Sequence, residues 1–172
     1  MERVERISEN KGTKGEGRRA KDERCLVGKI QAISVSKEKG VKKTNVDSAL
    51  LKEDFGIVGD AHAGTKMRQV SLLAIESIKK MQEKGLKVKP GDFAENITTE
   101  GIDLLKLKLK DKVKIGSDSV LEISQIGKVC HTRCAIYYQA GDCVMPKEGI
   151  FAKVISGGEI KVGDKIIEEV GG

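Results

Sequence analysis

The run LKLKDKVKIGSDSVLEISQIG, residues 107–127, decides the fold. Apolar and polar residues alternate through LKLK and again through KVKI, with Asp111 at the turn between them. SVLEISQIG (119–127) continues in the same manner, with Val120, Leu121, Ile123 and Ile126 as its apolar members. A period of two marks a strand with one face buried. A near-echo follows at 160–170: IKVGDKIIEEV reads again as a strand, a turn centred on Asp and an alternating strand. GIFAKVISGG (149–158) reads as a short helix or as a strand ending in a Gly pair.

Toward the N-terminus the units stay short. LVGKIQAISV (26–35) alternates like a half-buried strand, and SKEKGVKKTNV (36–46) bends at Gly40 into a second strand or edge. FGIVGDAHAG (55–64) is Gly-punctuated, a loop closing over something, and RQVSLL (68–73) is a short strand. AIESIKKMQEKG (74–85) is the one clear helix: Ile75, Ile78 and Met81 share a face and Gly85 stops it. Pro90 and Gly91 make a turn, and FAENITTEGI (93–102) continues as strand or loop. Many short strands with Gly turns predict a mainly β protein, a closed or partly open β-barrel with one or two embedded helices. Strands alternating with long helices are absent, which argues against a doubly wound α/β fold.

The 172 residues suit one domain, placed at 25–172. Residues 1–24 have charges of both signs and almost nothing apolar to bury, so they predict a disordered tail. A start codon assigned too far upstream explains them equally well. No apolar run approaches the ~18 residues of a membrane span, and the N-terminus lacks the apolar core of a secretory signal. The expected location is the cytoplasm. The net charge of +6 is spread among acidic residues and aromatics are only 3%, which disfavours a nucleic-acid platform. A basic pocket for a small anion such as phosphate fits the same charge.

Four cysteines in a chain without an export signal point to ligand or catalytic chemistry before disulfides. Cys25 stands alone; Cys130, Cys134 and Cys143 cluster, with His131 among them. Thiolate and imidazole suit zinc, and thiolate alone suits softer centres. Lys128 and Arg133 flank the cysteines, and a neighbouring cation favours the reactive thiolate. Residue types and spacing thus leave three chemistries open. One is a structural zinc site of Cys130, His131, Cys134 and Cys143 in a small interaction module. The second is a Cys130–Cys134 redox pair, and the third a thiolate that carries sulfur or binds a transition metal. Four further residues are candidates for holding a ligand. Arg68 suits a phosphate, or else a surface strand. Asp60 and His62 stand in the Gly-flanked GDAHAG loop, and Asn96 either orients a ligand or secures a strand end.

GIVGDAHAG, RQVSLL, PGDFAENITTEGID, GKVCHTRC and GIFAKVISGGEIKVGDKI, in that order, resemble the MOSC domain. It is found at the C-terminus of molybdenum cofactor sulfurases and as a stand-alone bacterial protein. The resemblance runs from about Leu26 to Val170 and implies a barrel like that of the pyruvate kinase barrel domain. It also implies a cysteine that carries sulfur as a persulfide or ligates molybdenum, and so the molybdenum cofactor (molybdopterin) or molybdenum itself. The family cysteine falls at Cys130 or Cys134. Arg68, Lys128 and Arg133 are then expected to hold the cofactor phosphate. Full-length sulfurases also carry a pyridoxal-phosphate domain, for which this chain has no room. The implied partners are therefore a sulfur-donating cysteine desulfurase or a molybdoenzyme.

Overall fold

The computed structural model describes residues 25–127 and 135–170. Its eleven strands are β1 (Val27–Val35), β2 (Thr44–Val46), β3 (Ser48–Lys52), β4 (Gly56–Ile57), β5 (Val70–Ala74), β6 (Ile97–Glu100), β7 (Lys112–Ile115), β8 (Ser119–Ile126), β9 (Ile150–Ser156), β10 (Gly158–Lys161) and β11 (Lys165–Glu169). The helices are α1 (Ile75–Glu83), α2 (Ala135–Ala140) and α3 (Met145–Glu148). Seven strands run in the order β11-β7-β8-β9-β5-β6-β1, and pairing of β1 with β11 closes them into a barrel. The neighbours are antiparallel except β5 and β6. A parallel pair needs a crossover, and the chain between them supplies it through α1. β2 adds to the outside of β1, while β10, β3 and β4 form a small second sheet.

Alternation along each strand divides the apolar residues between two cores. Val70, Leu72, Ile97, Ile123, Ile150 and Ala152 fill the barrel. Leu73 and Phe151, their neighbours in sequence, point outward. There they pack against Ile78 and Met81 of α1, Phe93, Ile136 of α2, Cys143 and Met145 of α3. Each fully buried Leu, Ile or Phe contributes about 1.5–3 kcal/mol. Among the described residues no helix is long and apolar enough to cross a membrane.

The barrel follows the sequence pattern, with three differences of detail. Among the described residues three helices stand where one or two were predicted; α2 and α3 are too short for a helical period to show in sequence. GIFAKVISGG is strand β9. LKLK (107–110) is no strand: it follows a 3-10 turn at Leu104–Lys106 and ends in a tight turn, with Leu107 buried and Leu109 exposed. The echo survives in the turns themselves. Asp111 Oδ2 accepts from the Lys108 amide (2.7 Å) and Asp164 Oδ2 from the Lys161 amide (2.8 Å). Asp92 Oδ2 does the same for Lys89 (3.1 Å). In each, the residue before Asp has positive φ: Gly91, Lys110 and Gly163. One Lys-x-x-Asp turn is thus built three times.

Candidate functional site

The expected site residues fall into three places. Lys128, Cys130, His131, Arg133 and Cys134 lie outside the described residues, but both flanks of that segment are described. β8 is followed by Gly127, which has φ 73° and whose added Cβ would sit 2.6 Å from the Pro146 carbonyl oxygen. Only Gly fits there. Its amide donates to Gly149 O (2.7 Å), which pins the chain at the entry to the cysteine segment.

Arg68 belongs to this place. Its Nε donates to Gln125 Oε1 (3.0 Å), and Gln125 Nε2 donates to Gly127 O (2.9 Å). The guanidinium lies 5.2 Å from the centre of the Phe151 ring. Among the described residues no hydrogen-bond partner faces its two terminal nitrogens, so the fork that suits an oxyanion is open. The geometry rests on one extra residue. Pairing of β8 with β9 steps from Ile123↔Ala152 to Gln125↔Phe151, leaving Ser124 as a bulge. Ile123 faces the barrel, so without the bulge Gln125 would face it too; with it, Gln125 lies beside outward-facing Phe151. The Ser124 hydroxyl secures the bulge by donating to Met67 O, next to Arg68. Cys143 is buried in the same outer core as Phe151.

Asp60 and His62 form a second cluster with a residue that sequence reasoning missed, Lys43. Lys43 Nζ donates to Asp60 Oδ1 (2.6 Å), and both side chains are wholly buried. The same ammonium meets Ser36 Oγ (3.3 Å) and His62 Nδ1 (3.1 Å). Asp60 also accepts from the amides of Ser36 (3.0 Å) and His62 (3.1 Å). Burial alone pushes the Asp60 carboxyl up, but the Lys43 ammonium and the amides of Ser36 and His62 outweigh it. They hold the group well below the usual carboxylate range. Lys43 sits in a charged hairpin and looks like a solvated residue in sequence. The usable signal was that a loop carboxylate flanked by glycines needs a buried cation.

Asn96 stands in a third place, also fully buried. Its Oδ1 accepts from Ser71 N and Oγ (both 3.1 Å), and its Nδ2 donates to Ser34 O (3.1 Å), which ties β5, β6 and β1 together. Beside it Glu95, equally unforeseen, accepts from the amides of Gly91 (2.5 Å) and Phe93 (3.1 Å) and from the Thr98 hydroxyl (3.0 Å). Burial pushes the Glu95 carboxyl up against the opposing pull of these bonds. Among the described residues no three His, Cys, Asp or Glu side chains gather as a metal site.

A comparison with solved structures finds the same fold in YuaD of Bacillus subtilis, at a TM-score of 0.71 and 19% identity over 86% of this chain and 99% of that one. YiiM of Geobacillus stearothermophilus matches at 0.62 and 19%, over 83% of this chain and 75% of that one. YiiM of Escherichia coli matches at 0.58 and 17%, over 84% and 71%. A comparison with curated proteins finds no match. The family model of the MOSC domain matches residues 59–167, which takes in the GDAHAG loop, Arg68, the cysteine segment, five of the seven barrel strands in full and part of a sixth, β11. The chain belongs to the MOSC domain family.

Proposed function

We propose that the chain carries sulfur, or binds molybdenum, through a cysteine of segment 128–134 in the service of a phosphate-bearing pterin cofactor. The observation that carries this reading is the Arg68–Gln125–Gly127 chain, which sets an open guanidinium fork at the base of the cysteine segment. That fork fits the phosphate of the molybdenum cofactor; Lys128 and Arg133, next to the cysteines in sequence, add charge for the same group. The thiolate that serves the cofactor is that of Cys130 or Cys134, as the family resemblance implies, with Cys143 and His131 as further donors. When bound, the cofactor supplies a metal that takes thiolate or sulfide as a ligand. Asn96 serves the barrel by tying β5, β6 and β1, and Asp60 fixes the GDAHAG loop, from which His62 presents its outer ring edge.

In sulfur transfer, the thiolate of Cys130 or Cys134 attacks the outer sulfur of a persulfide on a donor such as a cysteine desulfurase. A new S–S bond forms, the donor's S–S bond breaks, and the donor cysteine leaves as thiolate. No oxidant is needed. The acceptor is then the cofactor or the molybdoenzyme that holds it.

Native mass spectrometry of protein expressed in a molybdenum-replete host tests the reading. The expected result is bound cofactor, or one added sulfur atom that a thiol reductant removes, with loss in Cys130→Ser or Cys134→Ser. Absence of both species, with the two variants binding cofactor as well as the wild type, overturns it.

A further inference from the structure

The Lys43 ammonium has three protons and three acceptors around it: Asp60 Oδ1 at 2.6 Å, His62 Nδ1 at 3.1 Å and Ser36 Oγ at 3.3 Å. Ser36 Oγ gives its own proton to Glu38 O (2.8 Å), so it too meets Lys43 as an acceptor. An ammonium can only donate. His62 Nδ1 must therefore offer its lone pair, and the proton of the neutral ring sits on Nε2. About a quarter of the His62 side chain (27%) remains exposed, and among the described residues nothing bonds Nε2. The backbone is held as tightly as the ring: the His62 amide donates to Asp60 Oδ2 (3.1 Å) and its carbonyl accepts from Thr65 Oγ1 (3.0 Å).

We propose that Lys43 is a positioning residue that locks His62 in the Nε2–H form, making His62 a fixed hydrogen-bond donor and closing it to metal ions. Ligation through Nε2 needs a lone pair there, hence a proton on Nδ1 facing the ammonium. Ligation through Nδ1 needs Lys43 displaced from a wholly buried ion pair. Either route is opposed by the same 3.1 Å contact. The group that meets His62 accordingly brings an acceptor oxygen, as a carbonyl or phosphate does. Without Lys43, Asp60 Oδ2, 3.6 Å from Nδ1, becomes the partner of an Nδ1–H. That arrangement is the carboxylate–histidine pair that prepares Nε2 for a metal. One ammonium thus decides whether this loop donates a proton or ligates.

The inference goes beyond the proposed function and its test involves no cysteine, so the two fail separately. The chain has two histidines, and His131→Gln assigns the resonances of His62 in a long-range proton–nitrogen spectrum of the full-length protein. The expected wild-type pattern is a pyridine-type Nδ1 that accepts a hydrogen bond and a pyrrole-type Nε2, with His62 signals unmoved by added Zn²⁺. Lys43→Met is expected to interchange the two nitrogen types and to let Zn²⁺ shift His62. The wild-type spectrum stands alone if that variant does not fold. A pyrrole-type Nδ1 in the wild type, or a wild-type His62 that Zn²⁺ shifts, overturns the proposal.

Discussion

The Lys43–Asp60–His62 cluster and the Arg68–Gln125–Gly127 chain each bring a cation to a loop, and they differ in what is left over. In the first, every proton of the cation meets an acceptor within the protein, and only one ring edge of His62 looks outward. In the second, Arg68 uses Nε on Gln125 and keeps its fork. A closed cluster fixes a loop; an open one has capacity for a ligand. Lysine suits the first because its point charge is satisfied by scattered acceptors, and arginine the second because its planar fork can be anchored at one nitrogen and still grip with two.

The largest expected effect breaks the closed cluster. Lys43→Met leaves a buried carboxylate without its ammonium and is expected to cost about 3–5 kcal/mol in urea unfolding. Lys43→Met with Asp60→Leu is expected to regain most of that loss, since an apolar pair can replace a buried ion pair.

Acid probes the same pair. The depressed pKa of Asp60 means its contribution is complete above the unfolded value of about 4 and is lost progressively as pH falls below it. Wild-type stability should therefore drop faster than that of Asp60→Asn below pH ~4, narrowing the gap between them; parallel pH profiles would contradict the assignment.

At the open chain, Gly127→Ala is expected to cost about 1–3 kcal/mol, because φ there is positive and the new Cβ meets the Pro146 carbonyl. Gln125→Ala should lower stability by no more than about 1 kcal/mol. Its distinguishing effect is weaker binding of inorganic phosphate at Arg68, measured by calorimetry, which Lys43→Met should not reproduce. The smallest effect is a gain. Lys110 alone among the three Lys-x-x-Asp turns puts a side chain at positive φ, so Lys110→Gly should raise stability by up to about 1 kcal/mol.

The barrel was legible because β7 and β8 bury every second residue (Val113 and Ile115; Ser119, Leu121 and Ile123), and α1 because Ile75, Ile78 and Met81 recur at helical spacing. LKLK misled because alternation by itself does not separate a strand from a tight turn, and here Leu107 is buried while Leu109 is exposed. Arg68 could be named from its residue type, whereas Gln125 could not: its role depends on facing outward, which a bulge decides. Lys43 and Glu95 were hidden for another reason. A charged residue reads as solvated unless its partner is known, and the partners lie seventeen residues away in one case and on neighbouring loop amides in the other.

The bulge at Ser124 bears on how such a site changes over time. The address of Gln125 is written as a count of residues along β8, so deleting one residue would turn it into the barrel while leaving every side chain type intact. Substitution tunes the strength of the Arg68 anchor in small steps; a one-codon deletion removes it at once. Relatives that share the barrel yet lack the extra residue should therefore have to hold the corresponding arginine by other means, and the length of this strand becomes a marker for sorting them.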